Sequence, residues 1–163
     1  MYLYRQADAL RRFVRWSAAS RPISWFYARS LHHIDRVVYR ATRGRATFTS
    51  WSSGLPVVML TTTGAKSGQV HTLPVLGIPN GDGLVVIASN YGQRNNPAWY
   101  HNLRARPRAR VVFEGREQEV VARELEGEER ERWYERGIEI YPGWTEYRKR
   151  APRQIPVIEL RPA

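Results

Sequence analysis

The nonapeptide Thr61-Thr62-Thr63-Gly64-Ala65-Lys66-Ser67-Gly68-Gln69 carries the densest chemistry in this sequence: a hydroxyl-rich strand end runs into a turn with two glycines and one lysine. Such a turn presents backbone N–H groups and an ammonium together, which is what an anionic phosphate needs. Gly and Ser also serve plain hairpin geometry, so the turn by itself leaves a binding loop and a structural one both open. Conventional catalytic sets are missing. The chain has no cysteine, four histidines, and only Asp8, Asp35 and Asp82 as aspartates. With no HExxH, GxSxG, Walker or GxGxxG pattern, nothing supports thiol chemistry, disulfides, iron–sulfur clusters, triad hydrolysis or a zincin-type metal site. His32 and His33 read as structural or exposed, and most glutamates of 114–146 as a solvated helix face.

Six short, β-branched runs bounded by Gly, Pro or Asn would position this turn: 56–63, 70–78, 84–89, 109–113, 118–125 and 155–160. Asn80-Gly81-Asp82-Gly83 and Glu114-Gly115-Arg116 have hairpin composition, so an antiparallel barrel is expected. Short helices are expected over 97–105 and 127–139, the second with Glu and Arg at salt-bridging intervals. Residues 1–55 form a basic helical segment, with ten arginines against Asp8 and Asp35. Helices are expected over 2–16, where aromatics interleave with Arg5, Arg11, Arg12 and Arg15, and over 22–41 after Ser20 as a cap.

The whole chain, 163 residues with a formal charge of +11, is expected to be one domain with its barrel core over 56–163. Its basic residues are all arginines except Lys66 and Lys149, a bias that suits phosphate recognition and also follows from a GC-rich genome. Two readings stay open for residues 1–18. They pack on the barrel or a partner subunit, or they adsorb to anionic lipid. No helix-turn-helix, zinc-finger or RNP signature supports nucleic-acid binding. No apolar run is long enough for a membrane span or signal peptide, so a cytoplasmic protein is expected, with peripheral contact at the inner face of the cell membrane as the lipid variant.

In order and spacing, the runs LTTTGAKSGQVHTLPV, VVIASNYG, NPAWYHNLRARP, IYPGWTEYRKR and IPVIEL resemble the deazaflavin (F420)-dependent nitroreductase family. That resemblance implies an α+β fold, a six-stranded, mainly antiparallel split β-barrel of FMN-binding type with N-terminal and peripheral helices. It implies an oxidoreductase that passes a hydride from reduced F420 to a small quinone, enone or nitro acceptor; FMN or FAD is the alternative cofactor. Such chemistry asks the protein to position, exclude water and sometimes supply a proton, so a chain poor in His, Asp and Cys can still be an enzyme. A non-catalytic barrel that binds a flavin-like cofactor or lipid at a membrane is the rival reading.

By the same resemblance, Ala65, Lys66 and Ser67 meet the cofactor phosphate, and His71, Thr72, Leu73, Pro74, Val75 and Leu76 line its tail and ring. Ile87, Ala88, Ser89 and Asn90 flank the ring edge, and Ala98, Trp99, Tyr100, His101 and Asn102 close over the other side. Relatives often carry arginine where Ala65 and His71 stand here, which leaves Lys66 with more of the phosphate. Ser89, Trp144 and Tyr147 are the candidates for the catalytic, acceptor-facing side, with Leu76 beside them, whereas Tyr141 is expected to pack. The partner implied is a small-molecule hydride acceptor, and an oligomer stays open.

Overall fold

The computed structural model describes Asp8, Ala9, Arg11, Arg12 and residues 54–163. The helices expected over 2–16 and 22–41 lie outside the described residues, apart from the helical Ala9, Arg11 and Arg12. Six strands follow: β1 (Val57–Thr63), β2 (Val70–Asn80), β3 (Gly83–Ile87), β4 (Arg108–Phe113), β5 (Arg116–Leu125) and β6 (Val157–Pro162). They close into a barrel in the order β1-β2-β3-β6-β5-β4, with β4 returning to β1. Every pair is antiparallel. Three helices sit between strands: α1 (Ala98–Ala105), α2 (Gly127–Ile140) and α3 (Gly143–Arg150).

Both expected hairpins are present. Asn80 pairs with Gly83 and Phe113 with Arg116, so each loop has two residues, and Glu114 (φ 50°) and Gly115 (φ 78°) take the left-handed conformation such loops require. Most strand ends shift from expectation by one or two residues, and two of the shifts have a local cause. β3 stops at Ile87 because Ser89 N–H turns back onto the Ile87 carbonyl (2.9 Å). β6 begins at Val157 rather than residue 155, since Pro156 has no N–H to give, although its carbonyl still accepts from Ala88 N–H (2.9 Å).

Because all neighbours are antiparallel, β1, β3 and β5 run one way and β2, β4 and β6 the other. The three longer connections, 64–69, 88–107 and 126–156, therefore gather at one end of the barrel. The two tight hairpins occupy the opposite end. Side chains alternate accordingly along β3: Leu84, Val86 and Ala88 join an interior cluster with Val58, Leu60, Val111, Val120 and Leu160, capped by Trp99 and Leu103 of α1. Val85 and Ile87 face the other way, into a second cluster with Tyr134, Ile140, Tyr141, Trp144 and Tyr147 of the α2–α3 region. The fold thus has two cores divided by the β3–β6 wall.

That wall is tightest at Gly83, where an added Cβ would lie 2.5 Å from the Leu160 carbonyl oxygen. A backbone atom cannot rotate away as a side chain can. Gly83→Ala is expected to cost about 1–3 kcal/mol of overpacking, read as a lower urea midpoint with an unchanged slope. An unaltered midpoint would show that β3 and β6 can separate without loss.

Candidate functional site

At the loop end, β1 passes into a single helical turn in which Gly68 N–H bonds the Gly64 carbonyl (2.9 Å) and Gly64 N–H bonds the Gln69 carbonyl (2.7 Å). Gly68 makes this closure possible by adopting φ 68°. The turn is gripped from α1. Asn102 Oδ1 accepts from Ala65 N–H (2.9 Å), while Asn102 Nδ2 donates to Thr62 Oγ1 (3.0 Å). Arg106 Nη1 donates to the Gly64 carbonyl (2.6 Å) and to that of Ala65 (3.3 Å). With those groups engaged, the N–H groups of Lys66 and Ser67 have no acceptor among the described residues, and both side chains are exposed. Ser67 Oγ accepts from Gln69 N–H (3.2 Å) and keeps its own proton.

A second turn stands at the end of β3. Asn90 (φ 46°), Tyr91 (φ 57°) and Gly92 (φ 75°) are three consecutive left-handed residues, two of them bearing side chains. Each such non-glycine residue costs on the order of 1–3 kcal/mol and survives only where its surroundings hold it. Gly92 N–H bonds the Ser89 carbonyl (2.9 Å), Gln93 N–H that of Asn90 (3.0 Å), and Asn90 Nδ2 that of Asn95 (2.9 Å). Gly92 also lets α3 come close, because a Cβ there would be 2.9 Å from the Tyr147 carbonyl oxygen. Arg153, from the segment between α3 and β6, donates to the carbonyls of Gln93 (3.2 Å), Ala88 (3.2 Å), Ser89 (3.1 Å) and Asn95 (3.3 Å). The Asn96 Oδ1 atom, just before α1, is buried and has no partner among the described residues.

Behind Ser89 lies an aromatic wall. Trp144 Nε1 donates to Ser89 Oγ (3.2 Å), the Tyr141 and Tyr147 hydroxyls are 3.0 Å apart, and Tyr134 Oη donates to the Trp144 carbonyl (2.9 Å). Burial, and then the neighbouring Tyr141, push the Tyr147 phenol far above its ordinary range. Burial lifts Tyr134 to about 12 against the nearby arginines, one of which, Arg148, sits 4.0 Å over its ring. These phenols stay protonated at neutral pH.

The sequence-derived candidates divide by exposure. Lys66, Ser67, His71, Thr72, Ala98 and His101 are exposed; Ala65, Leu73, Pro74, Val75, Leu76 and Asn90 are half-buried; Ile87, Ala88 and Ser89 are buried at the strand end. Helical periodicity splits α1, turning Ala98 and His101 outward and Trp99, Tyr100 and Asn102 inward. Tyr100 donates to the Glu124 carboxylate (3.1 Å), and burial first, then this bond, raises its pKa. Trp144 and Tyr147 are each 3% exposed within the second core, so direct contact with a small molecule requires α3 to shift.

Arg106 and Arg153 were not among the candidates, and their carbonyl partners lie about 40 and 60 positions away in sequence. A signal was present for the field they join: no Asp or Glu occurs between Asp35 and Asp82, nor between Asp82 and Glu114. Both turns and α1 come from these acid-free stretches. These stretches bring Lys66, His71, Arg94, His101, Arg104 and Arg106 to their end of the barrel without a carboxylate of their own, while the third connection there, 126–156, carries seven glutamates. Free amides, hydroxyls and cations fit a ligand with an anionic group, and the half-buried run Leu73–Leu76 fits a flat apolar one.

The family model for F420H(2)-dependent quinone reductase matches residues 32–162. An F420H(2)-dependent quinone reductase of Mycobacterium tuberculosis (strain ATCC 25618 / H37Rv) is 31% identical over 135 residues, covering 80% of this chain and 89% of the relative. Among solved structures, an F420-H2 dependent reductase (FDR-A) aligns at TM-score 0.60 and 39% identity, over 64% of this chain and 93% of its own. A chain described as a domain-swapped dimer aligns at TM-score 0.63 and 32% identity, over 86% of this chain and 99% of its own. The split-barrel expectation agrees with these folds.

The Tyr134 phenol gives the aromatic wall a pH signature. Unfolded, it ionises near 10; folded, near 12. Its contribution to stability is complete below about pH 10 and is lost as pH rises through about 12, roughly 2 kcal/mol in all. Tyr134→Phe is expected to flatten the stability profile across that window in urea titrations, and an equally steep decline in the variant would contradict the assignment.

Proposed function

The chain belongs to the F420H(2)-dependent quinone reductase family, and from that premise we propose that it uses reduced F420 to reduce a quinone-type acceptor. Bound F420 supplies the hydride; a proton from solvent or a side chain completes the hydroquinone. The observation that carries this reading is the acid-free turn 64–69, where the Lys66 and Ser67 amides, the Ser67 hydroxyl proton and the Lys66 ammonium have no partner among the described residues.

These groups would hold the cofactor phosphate, with Ala65 kept in place by Asn102. His71 through Leu76 would flank the tail and ring, and Ile87 through Asn90 its edge. Ala98 and His101, the outward face of α1, would close the opposite side. Ser89 has a defined electrical role: its oxygen accepts from the Trp144 indole, which leaves its proton for an oxygen of the ring or the acceptor. Trp144 and Tyr147 would act from behind, fixing the Ser89 rotamer and excluding water, and would meet an acceptor when α3 moves.

The deciding experiment titrates the purified protein with F420 and with FMN, then adds menadione to the reduced F420 complex. Preferential F420 binding and reoxidation are expected; FMN preference or no turnover would overturn the proposal. Lys66→Ala should weaken F420 roughly tenfold, about 1.4 kcal/mol, the low end for a charged contact because the ammonium is exposed. Indistinguishable titrations would remove Lys66 from the phosphate site.

An oligomer and a peripheral membrane contact through residues 1–18 belong to the same proposal. The first is supported by the dimeric relative, the second by the aromatics and arginines of that segment. Among the described residues no helix is long and apolar enough to cross a membrane. If residues 1–18 adsorb to lipid, the full chain co-sediments with anionic liposomes at physiological salt and a chain lacking them does not, while F420 binding persists. Absence of co-sedimentation by the full chain would leave packing as their role.

A further inference from the structure

We propose that Arg153 is a positioning residue for hydride transfer, holding the turn after β3 in the geometry that presents Ser89 and Asn90. This rests on the proposed F420-dependent activity, since it concerns the same end of the barrel. None of Arg153's acceptors belongs to a strand or α-helix ladder. Its guanidinium reaches the backbone carbonyls of Ala88, Ser89, Gln93 and Asn95, and more weakly Gln154 (3.4 Å). The four that matter are the entry and exit of a turn whose middle is left-handed at three successive residues. One planar fork spans both sides of the turn, which a single ammonium with tetrahedral donors cannot match.

Two details tie this clamp to the reacting end rather than to the barrel. The Ser89 carbonyl accepts from both Gly92 N–H (2.9 Å) and Arg153 Nη2 (3.1 Å), so Arg153 fixes the backbone of the residue whose hydroxyl oxygen accepts from Trp144 Nε1. The Asn95 carbonyl accepts from both Asn90 Nδ2 (2.9 Å) and Arg153 Nη2 (3.3 Å), so the Asn90 side chain is locked by the same guanidinium. No carboxylate pairs with Arg153 among the described ion pairs, although desolvation already lowers its pKa. Partial burial of a cation with only carbonyl partners places an uncompensated positive charge behind the turn. A ring that takes on negative charge beside Ser89 and Asn90 would be stabilised by it.

The test compares wild type with Arg153→Gln and Arg153→Lys in the full chain. Hydrogen exchange without cofactor reads the clamp: in Arg153→Gln the amides of Gly92 and Gln93 should exchange about tenfold faster, while the β3 amides Val85 and Val86 keep their wild-type rates. Single-turnover reoxidation of prebound, reduced F420 by menadione reads the consequence. Arg153→Gln should slow it about tenfold with F420 affinity changed less than about threefold, and Arg153→Lys should recover part of the rate. Unchanged exchange at Gly92 and Gln93, or equal acceleration across β3, overturns the clamp; loosened exchange with an unaltered rate overturns the positioning role. Failure of wild type to bind F420 would instead defeat the proposed activity, and the exchange comparison would still decide whether Arg153 holds the turn.

Discussion

Antiparallel closure is the constraint from which the rest follows. A ring of six strands with every neighbour reversed must send alternate strand ends to opposite rims. Two rim crossings at one end are two-residue hairpins, too short to hold chemistry, so the longer segments crowd the other rim. Residues separated by more than 80 positions, such as Lys66 and Arg153, are thereby brought to the same end of the barrel. The interior cluster and the cluster under α2 and α3 then fix the rim from both sides of the β3–β6 wall.

At that rim, two arginines are directed at backbone carbonyls rather than at carboxylates. Arg106 occupies the carbonyls of Gly64 and Ala65, and Arg153 those around Ser89. Binding the oxygens of a turn from one side leaves the following N–H groups to point away, and this turns a connection into an anion-receptive surface. Neither of these two connections carries an acid of its own, whereas the third at the rim, 126–156, carries seven glutamates. On that third connection and beside it the arginines do find carboxylates: Arg123 bridges Glu129 and Glu159, and Arg148 reaches Glu131 and Glu135. The contrast separates an acid-rich connection from two acid-free ones within a chain that is basic overall.

The strands were legible because each is a short β-branched run closed by Gly, Pro or Asn, and the hairpins because Asn-Gly-Asp-Gly and Glu-Gly have few other uses. The order of motifs made the family and cofactor class legible as well. Local pattern could not decide which residues of Ala98–Asn102 face outward, since the inward set depends on the barrel mouth that Trp99 fills. Nor could it show that Asn102 has both ends of its amide engaged by the protein, or that Trp144 is buried with its N–H on Ser89. Arg153 carries no local mark at all. Its contacts with the turn after β3 exist only once β3 and β6 are paired.

The most direct measurement is amide chemical-shift mapping of the full chain as F420 is added. Shared use of the two turns requires the largest perturbations at Lys66 and Ser67 and at Ser89 and Asn90, with the hairpins at 81–82 and 114–115 unmoved. Perturbations confined to one turn, or centred on the hairpin end, would contradict a site built by gathering both turns at one rim.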